Sequence, residues 1–599
     1  MIIRKKTFRC LELCLILCFL SLWLLPSFSI PCLTLCIGGI GGIVGYMLFP
    51  TRAFLQRWLV GTAFYASVLL LPMLTARTQA FPIELSLITL AFSMLLSSLV
   101  LCLLQLLASC GRNLLLCLVR FTAAVLFFFP PLLFWAYGLH THALLSADTV
   151  LVILQTYPVE ALQYLKDTLT PLHSGLLVVL LCLLYATASW FSRNCADTCP
   201  PPKRRYTALY LLLVCVLLPH TSNNLYVTVV NDTSEALKTQ ETFLQAAPTR
   251  QARLKELSQE TRPGLFVLVI GESENRLHMS AYGYERDTTP WLRAKAADDD
   301  CLLFTNAYAN YVSTAQALSY ALTEKNQYMD LSLQDAATLP ETARAAGIRT
   351  IMRSNQGKFG LYSTAVTAIE DECDDALWLH PQQFSNRGQE RLNFRVEDGD
   401  IVKELKSIPI ASTDRTLLIL HLNGSHNPYP CRYPEDFHPF GTATITDQYD
   451  NTVAYNDKIM NQIYESVRWF PNFQCLIYLS DHSEGIDHGI MHDSNSYLPE
   501  MTYIPFYILA SPAFRNAHQD QWATLASHRN AYFTNDLLYD LMCSLMGIQT
   551  GHMLPENDIA RPEYDARPER FRTEHGKLAI TPPAVAEPQG GQASFALAP

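Results

Sequence analysis

From Cys10 to Ala147 the only charged residues are Glu12, Arg52, Arg57, Arg77, Glu84, Arg112 and Arg120, and the segments between them are long and apolar. A helix satisfies its own backbone hydrogen bonds, so about 20 such residues can cross a hydrocarbon core. This pattern commits the first third of the chain to a membrane, with spans expected near 9–29, 31–49, 58–76, 85–109, 119–138, 174–192 and 206–220. "RKK" at Arg4 to Lys6 followed by an apolar run could open a signal peptide. No small-residue cleavage site follows, so the first span is read as an uncleaved helix. Lys and Arg are retained on the cytoplasmic side. With seven spans "RKK", Arg52 with Arg57, Arg112 with Arg120, and "PPPKRR" ending at Arg205 all fall inside, which places the C-terminal half outside.

The imbalance is local: half of the 599 residues are apolar and 16% are charged, too few charges for a wholly soluble chain of this length. Between the fifth and sixth spans, "ALLSADTVLVILQTYPVEALQYLKDTLTP" is too polar to cross but has apolar residues at helical spacing. It reads as an interfacial helix near 144–170 on the outer surface. The chain therefore divides into a membrane domain over 1–222, a linker helix over 223–263, a soluble domain over 264–570 and a tail over 571–599. The tail is expected to be disordered, because Pro, Gly, Ala and Gln dominate it.

In the soluble domain, "GLFVLVIGES", "TLLILHLNGSH", "QCLIYLSDHSE" and "TYIPFYILAS" are short apolar runs of the kind buried on both faces of a mostly parallel α/β sheet. Three of them end in polar residues. In open α/β sheets the site lies beyond the carboxyl ends of the strands, which would bring Glu272, His426, Asp481 and His482 together from distant parts of the sequence. Imidazole with carboxylate suits a hard or borderline divalent cation, above all zinc. Each candidate has a plainer reading too. Glu272 could cap a helix N-terminus. His488 reads as solvated surface and His421, inside an apolar strand, as a satisfied core histidine.

The stretches "VLVIGESENRLHMSAYGYERDTTPWL", "FTNAYANYVSTAQALSYALT", "RSNQGKFGLYST", "LHLNGSHNPY" and "YLSDHSEG" resemble, in order over about 300 residues, the motifs of bacterial phosphoethanolamine transferases. These are multi-pass inner-membrane enzymes with a periplasmic domain of the alkaline phosphatase and sulfatase superfamily. The resemblance implies that Glu272, Asp481 and His482 are zinc ligands together with Thr314, the expected nucleophile, with Ser313 as its nearest rival. A cap role is the plainer reading of Thr314. It also implies that His426 and His492 hold the transferred phosphoryl group, and that Lys358 lies on the substrate side unless it is only a loop lysine. In "QTYPVEA", Thr156 and Glu160 match positions that bind the lipid head group, while Val152 stands where the family often has asparagine.

The implied reaction takes phosphoethanolamine from phosphatidylethanolamine, through a phospho-threonine, to an envelope glycolipid or glycan acceptor such as lipopolysaccharide lipid A or core. One zinc ion serves it, or two during turnover, in a monomer. Twelve of the seventeen cysteines precede Asn223, and Cys301, Cys373, Cys431, Cys475 and Cys543 are an odd set, so at least one stays unpaired if pairing is within the chain. The lipid A-modifying branch of the family that the chain resembles carries a disulfide beside its nucleophile, whereas "STAQALSYALT" has no cysteine, so the resemblance favours the disulfide-poor branches. A sulfatase is disfavoured because no formylglycine motif surrounds Thr314. A phosphoglycerol transferase of the lipoteichoic acid type and a non-catalytic envelope assembly protein remain alternatives. "CADTC" is too short a signal for a metal site. A formal net charge of −10 and the absence of a P-loop argue against nucleic acid.

Overall fold

The computed structural model describes residues 29–74, 83–109, 114–141, 145–155, 171–193, 204–254, 257–260, 262–356, 365–379, 397–489, 491–494 and 497–583. The chain forms two compact units, Met1–Ile153 with Leu165–Leu237, and Leu154–Tyr164 with Lys238–Pro599.

The first unit is helical: α1 (Ser29–Leu48), α2 (Arg52–Ala66), α3 (Ile83–Ser109), α4 (Leu114–Thr141), α5 (Ala147–Gln155), α6 (Pro171–Ser192), α7 (Arg204–Leu217) and α8 (Leu225–Gln245). Small residues let α1 and α3 pack closely: a Cβ on Gly38 would stand 2.7 Å from the Ala91 backbone. Among the described residues three helices are long and apolar enough to cross a membrane, Arg52–Leu70, Ile83–Ser109 and Leu114–Leu139. A fourth candidate is the pair Tyr206–Thr221 and Leu225–Glu235, bent by 69°. Thr34–Leu48 and Leu177–Ser192 are shorter apolar stretches. The expected span at 9–29 lies almost wholly outside the described residues, as does most of the expected interfacial segment beyond Gln155.

The second unit takes in the end of α8 and α9 (Ala247–Arg253) and is built on a seven-stranded sheet: β1 (Gly264–Gly271), β2 (Cys301–Phe304), β3 (Arg349–Ser354), β4 (Asp375–Trp378), β5 (Arg415–His421), β6 (Phe473–Ser480) and β7 (Phe506–Ala510). Their spatial order is β2-β7-β6-β1-β5-β3-β4. β6, β1, β5, β3 and β4 pair in parallel, whereas β7 runs antiparallel to both β6 and β2. Alternate residues of β1 enter two separate cores, Phe266, Leu268 and Ile270 in one and Leu265, Val267 and Val269 in the other. Burial on both faces explains the unbroken apolar run. The sheet is thus the mostly parallel α/β sheet read from the sequence. Helices α10 (Thr314–Ala321), α11 (Leu339–Ala345) and α12 (Ile445–Val467) belong to this unit.

The ordered domain continues past the expected boundary at 570. Phe571 is 1% exposed, and Arg572–Thr573 pairs with Leu578–Ala579 in a small hairpin. Cys301, Cys373, Cys475 and Cys543 of this unit are buried free thiols.

Candidate active site

Because β1, β3, β5 and β6 are parallel, their carboxyl ends share one edge of the sheet. Glu272 follows β1 directly, and Asp481 with His482 follows β6 directly. Gln356 and His426 stand in the loops after β3 and β5. One ligand atom each from Glu272, Asp481 and His482 lie within 4.8 Å of one another, and all three residues are fully buried.

Each donor is held in place by the chain. The Asp481 Oδ1 atom accepts from the Ser273 and His482 backbone N–H groups at 3.1 and 2.7 Å, while its Oδ2 is buried without a hydrogen bond. Glu272 accepts from Ser273 Oγ at 2.7 Å and from Gln356 Nε2 at 3.1 Å. Ser273 holds a left-handed backbone, φ 58°, a conformation sparsely populated outside glycine and found where surroundings enforce it. His482 Nδ1 lies 3.2 Å from the Ser483 carbonyl and donates to it. Its Nε2 lone pair is thereby turned toward Glu272 Oε1 at 3.4 Å and Asp481 Oδ2 at 3.3 Å.

Burial, then the neighbouring Asp481, pushes the Glu272 carboxyl well above the usual carboxylate range, and burial pushes His482 down to about 4. Two carboxylates and an imidazole lone pair facing one another away from water are stabilised by a cation between them. The orphaned Asp481 Oδ2 and the oriented His482 Nε2 fit a divalent metal that takes nitrogen and oxygen donors.

Thr314 joins this cluster from a helix distant in sequence from Asp481 and His482. It is the first residue of α10, and its hydroxyl donates to Glu272 Oε2 at 3.1 Å and lies 3.3 Å from His482 Nε2. Ser313 occupies the N-cap position, but its hydroxyl bonds the Gln316 side chain at 2.5 Å. The threonine therefore does not cap its helix, and the rival serine points elsewhere. Asn310 and Asn535 fix the approach: Asn310 Nδ2 donates to the Ala317 carbonyl and to Asn535 Oδ1, and Asn535 Nδ2 donates to the Asp481 carbonyl at 2.6 Å.

His492 packs against His482, ring centres 4.1 Å apart and planes tilted by 50°, and the His426 ring centre lies 6.2 Å from that of His492. Burial lowers the His492 pKa, but the Glu484 carboxylate at 3.1 Å outweighs burial and holds it above the ordinary value. His426 Nδ1 bonds the Asn427 carbonyl at 2.5 Å. His488 is exposed and pairs with Glu500 at 2.7 Å, and His421 is buried against Glu370 at 2.5 Å, so both take the plainer roles read from the sequence. Lys358, Thr156 and Glu160 lie outside the described residues. Gln356 escaped the sequence reading although it sits inside "RSNQGKFG". Its signal was its place just past an apolar strand of the same sheet.

Residues 265–548 match the Sulfatase family model. Phosphoethanolamine transferase EptC of Escherichia coli strain RS218 is 25% identical over 321 residues, covering 50% of this chain and 54% of that protein. Phosphoethanolamine transferase EptA of Helicobacter pylori is 30% identical over 278 residues, covering 42% of this chain and 49% of its own. The chain spans about half the length of the curated relatives it matches. The structure of the integral membrane lipooligosaccharide phosphoethanolamine transferase A of Neisseria meningitidis superposes with a TM-score of 0.55 at 19% identity, over 87% of this chain and 98% of that one. Fold and site together define a helical region with candidate membrane spans followed by a sulfatase-like domain. Within that class, the relatives bear out the resemblance to phosphoethanolamine transferases drawn from the motifs.

Proposed function

We propose that this chain transfers phosphoethanolamine from phosphatidylethanolamine to an envelope glycolipid or glycan, through a covalent phospho-threonine on Thr314. The observation that carries this reading is the Thr314 hydroxyl, 3.1 Å from Glu272 Oε2 and 3.3 Å from His482 Nε2, at a buried cluster of metal-binding groups. The names of the relatives supply the transferred group.

Glu272, Asp481, His482 and Thr314 would hold a zinc ion, which when bound lowers the cost of a threonine alkoxide and polarises a phosphate oxygen. Glu272 Oε2 accepts the Thr314 proton in its hydrogen bond and orients the oxygen. Gln356 and Ser273 keep that carboxylate from turning away. In the first step the Thr314 Oγ1–phosphorus bond forms as the bond from phosphorus to the diacylglycerol oxygen breaks, and an imidazolium protonates the departing oxygen. His492, whose pKa the Glu484 carboxylate raises, is suited to that donation, with His426 flanking it. In the second step an acceptor oxygen bonds phosphorus as the Thr314 Oγ1–phosphorus bond breaks, the imidazole takes the acceptor's proton, and Glu272 returns its proton to Thr314 Oγ1. Each step inverts phosphorus, so the product retains configuration. Lys358 on the donor side, with Thr156 and Glu160 at the lipid head group, complete the proposed site.

The placement of basic residues supports a multi-pass chain in a bacterial inner membrane, with the second unit in the periplasm. Mass spectrometry of envelope glycolipids and glycans from cells with the wild type or Thr314→Ala tests the reading. An added phosphoethanolamine present only with the wild type is the expected result, and identical envelopes would refute it.

A further inference from the structure

The hairpin turn that the tail composition concealed lies against the helix bearing Thr314. Glu574 and His575 are consecutive non-glycine residues with left-handed backbones, φ 52° and 51°, followed by Gly576 at 88°. Such a run is retained where the surroundings over-determine it. Those surroundings are the nucleophile segment. The His575 ring stacks on Tyr320 of α10, centres 3.8 Å apart and planes within 4°, with Tyr311 at 4.7 Å on the same ring. Its Nε2 donates to the Gln316 carbonyl in the first turn of α10 at 3.2 Å, and its backbone N–H donates to the Asn310 carbonyl at 3.1 Å. Thr573 Oγ1 donates to the Ala309 carbonyl at 2.9 Å, and the Gly576 N–H to Gln327 Oε1 at 2.6 Å. Asn310 in turn holds Ala317 and, through Asn535, the Asp481 backbone.

The geometry points to a clamp: the Glu574–Gly576 turn fixes the first turn of α10, and His575 is a positioning residue that sets the Thr314 hydroxyl against Glu272 and His482. The inference rests on Thr314 being the nucleophile. Stacking and one N–H donor are what the ring supplies, and burial pushes its pKa down to about 4, so it remains a neutral donor. A hydroxyl attacking phosphorus is sensitive to small displacements, so loosening this turn slows chemistry while leaving donor affinity and metal affinity in place.

The test uses the purified full-length protein, phosphatidylethanolamine and no acceptor, following adduct formation on Thr314 by rapid quench and mass spectrometry, with zinc content and thermal unfolding measured alongside. His575→Ala is expected to load about tenfold more slowly at saturating donor, with the half-saturating donor concentration and zinc content unchanged. His575→Phe, which keeps the stack and loses the N–H, falls between the two. Lys577→Ala, an exposed neighbour in the same hairpin, loads like the wild type. His575→Ala loading at the wild-type rate, or changing the half-saturating concentration in place of the rate, overturns the clamp. Should His575→Ala fail to fold, His575→Phe decides: slower loading with zinc retained supports the clamp, and wild-type loading overturns it. A wild type that forms no adduct overturns the nucleophile reading itself, and the clamp with it.

Discussion

Arg250 and Glu341 meet across 91 residues in a two-pronged ion pair, Nε to Oε2 at 2.9 Å and Nη2 to Oε1 at 3.2 Å, with both side chains fully buried. Glu341 also closes the capping box of α11 with Thr338, and Arg250 Nη2 reaches Glu372 at 3.0 Å. The helix preceding β1 is therefore bonded into the domain. Arg250→Ala leaves two carboxylates without their cation in an apolar setting, which costs about 3–5 kcal/mol. Denaturant unfolding of the C-terminal unit should show that loss, and an unchanged transition would mean that the pair contributes nothing net.

Gly424 has φ 47°, and a Cβ there would lie 2.6 Å from the Glu272 carbonyl oxygen and 2.8 Å from its nitrogen. Both are backbone atoms, so Gly424→Ala must displace the candidate ligand. Zinc content of the purified protein should fall, as it does in Asp481→Ala where a ligand is removed outright, and activity should drop on the order of a hundredfold. Gly551→Ala, where nothing lies within 4 Å, is the neutral control. Full zinc content in Gly424→Ala would refute the placement of Glu272.

The His421–Glu370 pair predicts a pH dependence of stability. Burial lowers the His421 pKa, but the Glu370 charge and hydrogen bond outweigh it and leave the pKa raised. A raised histidine pKa gives stability that is fully present below the unfolded value of about 6.5 and lost as pH rises through the folded value. The melting temperature of the wild type should fall as pH rises from about 6.5 upward. In Glu370→Gln that slope should flatten, because the partner that raised the pKa is gone. Parallel slopes in the two proteins would exclude the pair as the source.

The parts of this fold legible in the sequence are those where one physical demand acts alone. β1, β5 and β6 are buried on both faces, so each reads as an apolar run, and the charge that follows marks the sheet edge where Glu272, Asp481 and His482 meet. An apolar run carries no direction, which is why the antiparallel course of β7 could not be read from "TYIPFYILAS". Thr314 was reached only through family resemblance, since a threonine opening a helix looks the same whether it caps the helix or attacks a substrate. The hairpin around His575 was hidden because its stability comes from Tyr320, Asn310 and Gln327, far away in sequence, while its neighbours have the composition of an unstructured tail. Gln356 was legible in place but not in role. Only its 3.1 Å bond to Glu272 distinguishes it from any polar loop residue.

The most direct measurement is peptide mapping of the full-length protein after incubation with phosphatidylethanolamine in the absence of acceptor. The account predicts one phosphoethanolamine group on Thr314 with release of diacylglycerol, both lost in Thr314→Ala. An adduct on Ser313 that survives in Thr314→Ala, or turnover with no adduct at all, would contradict it.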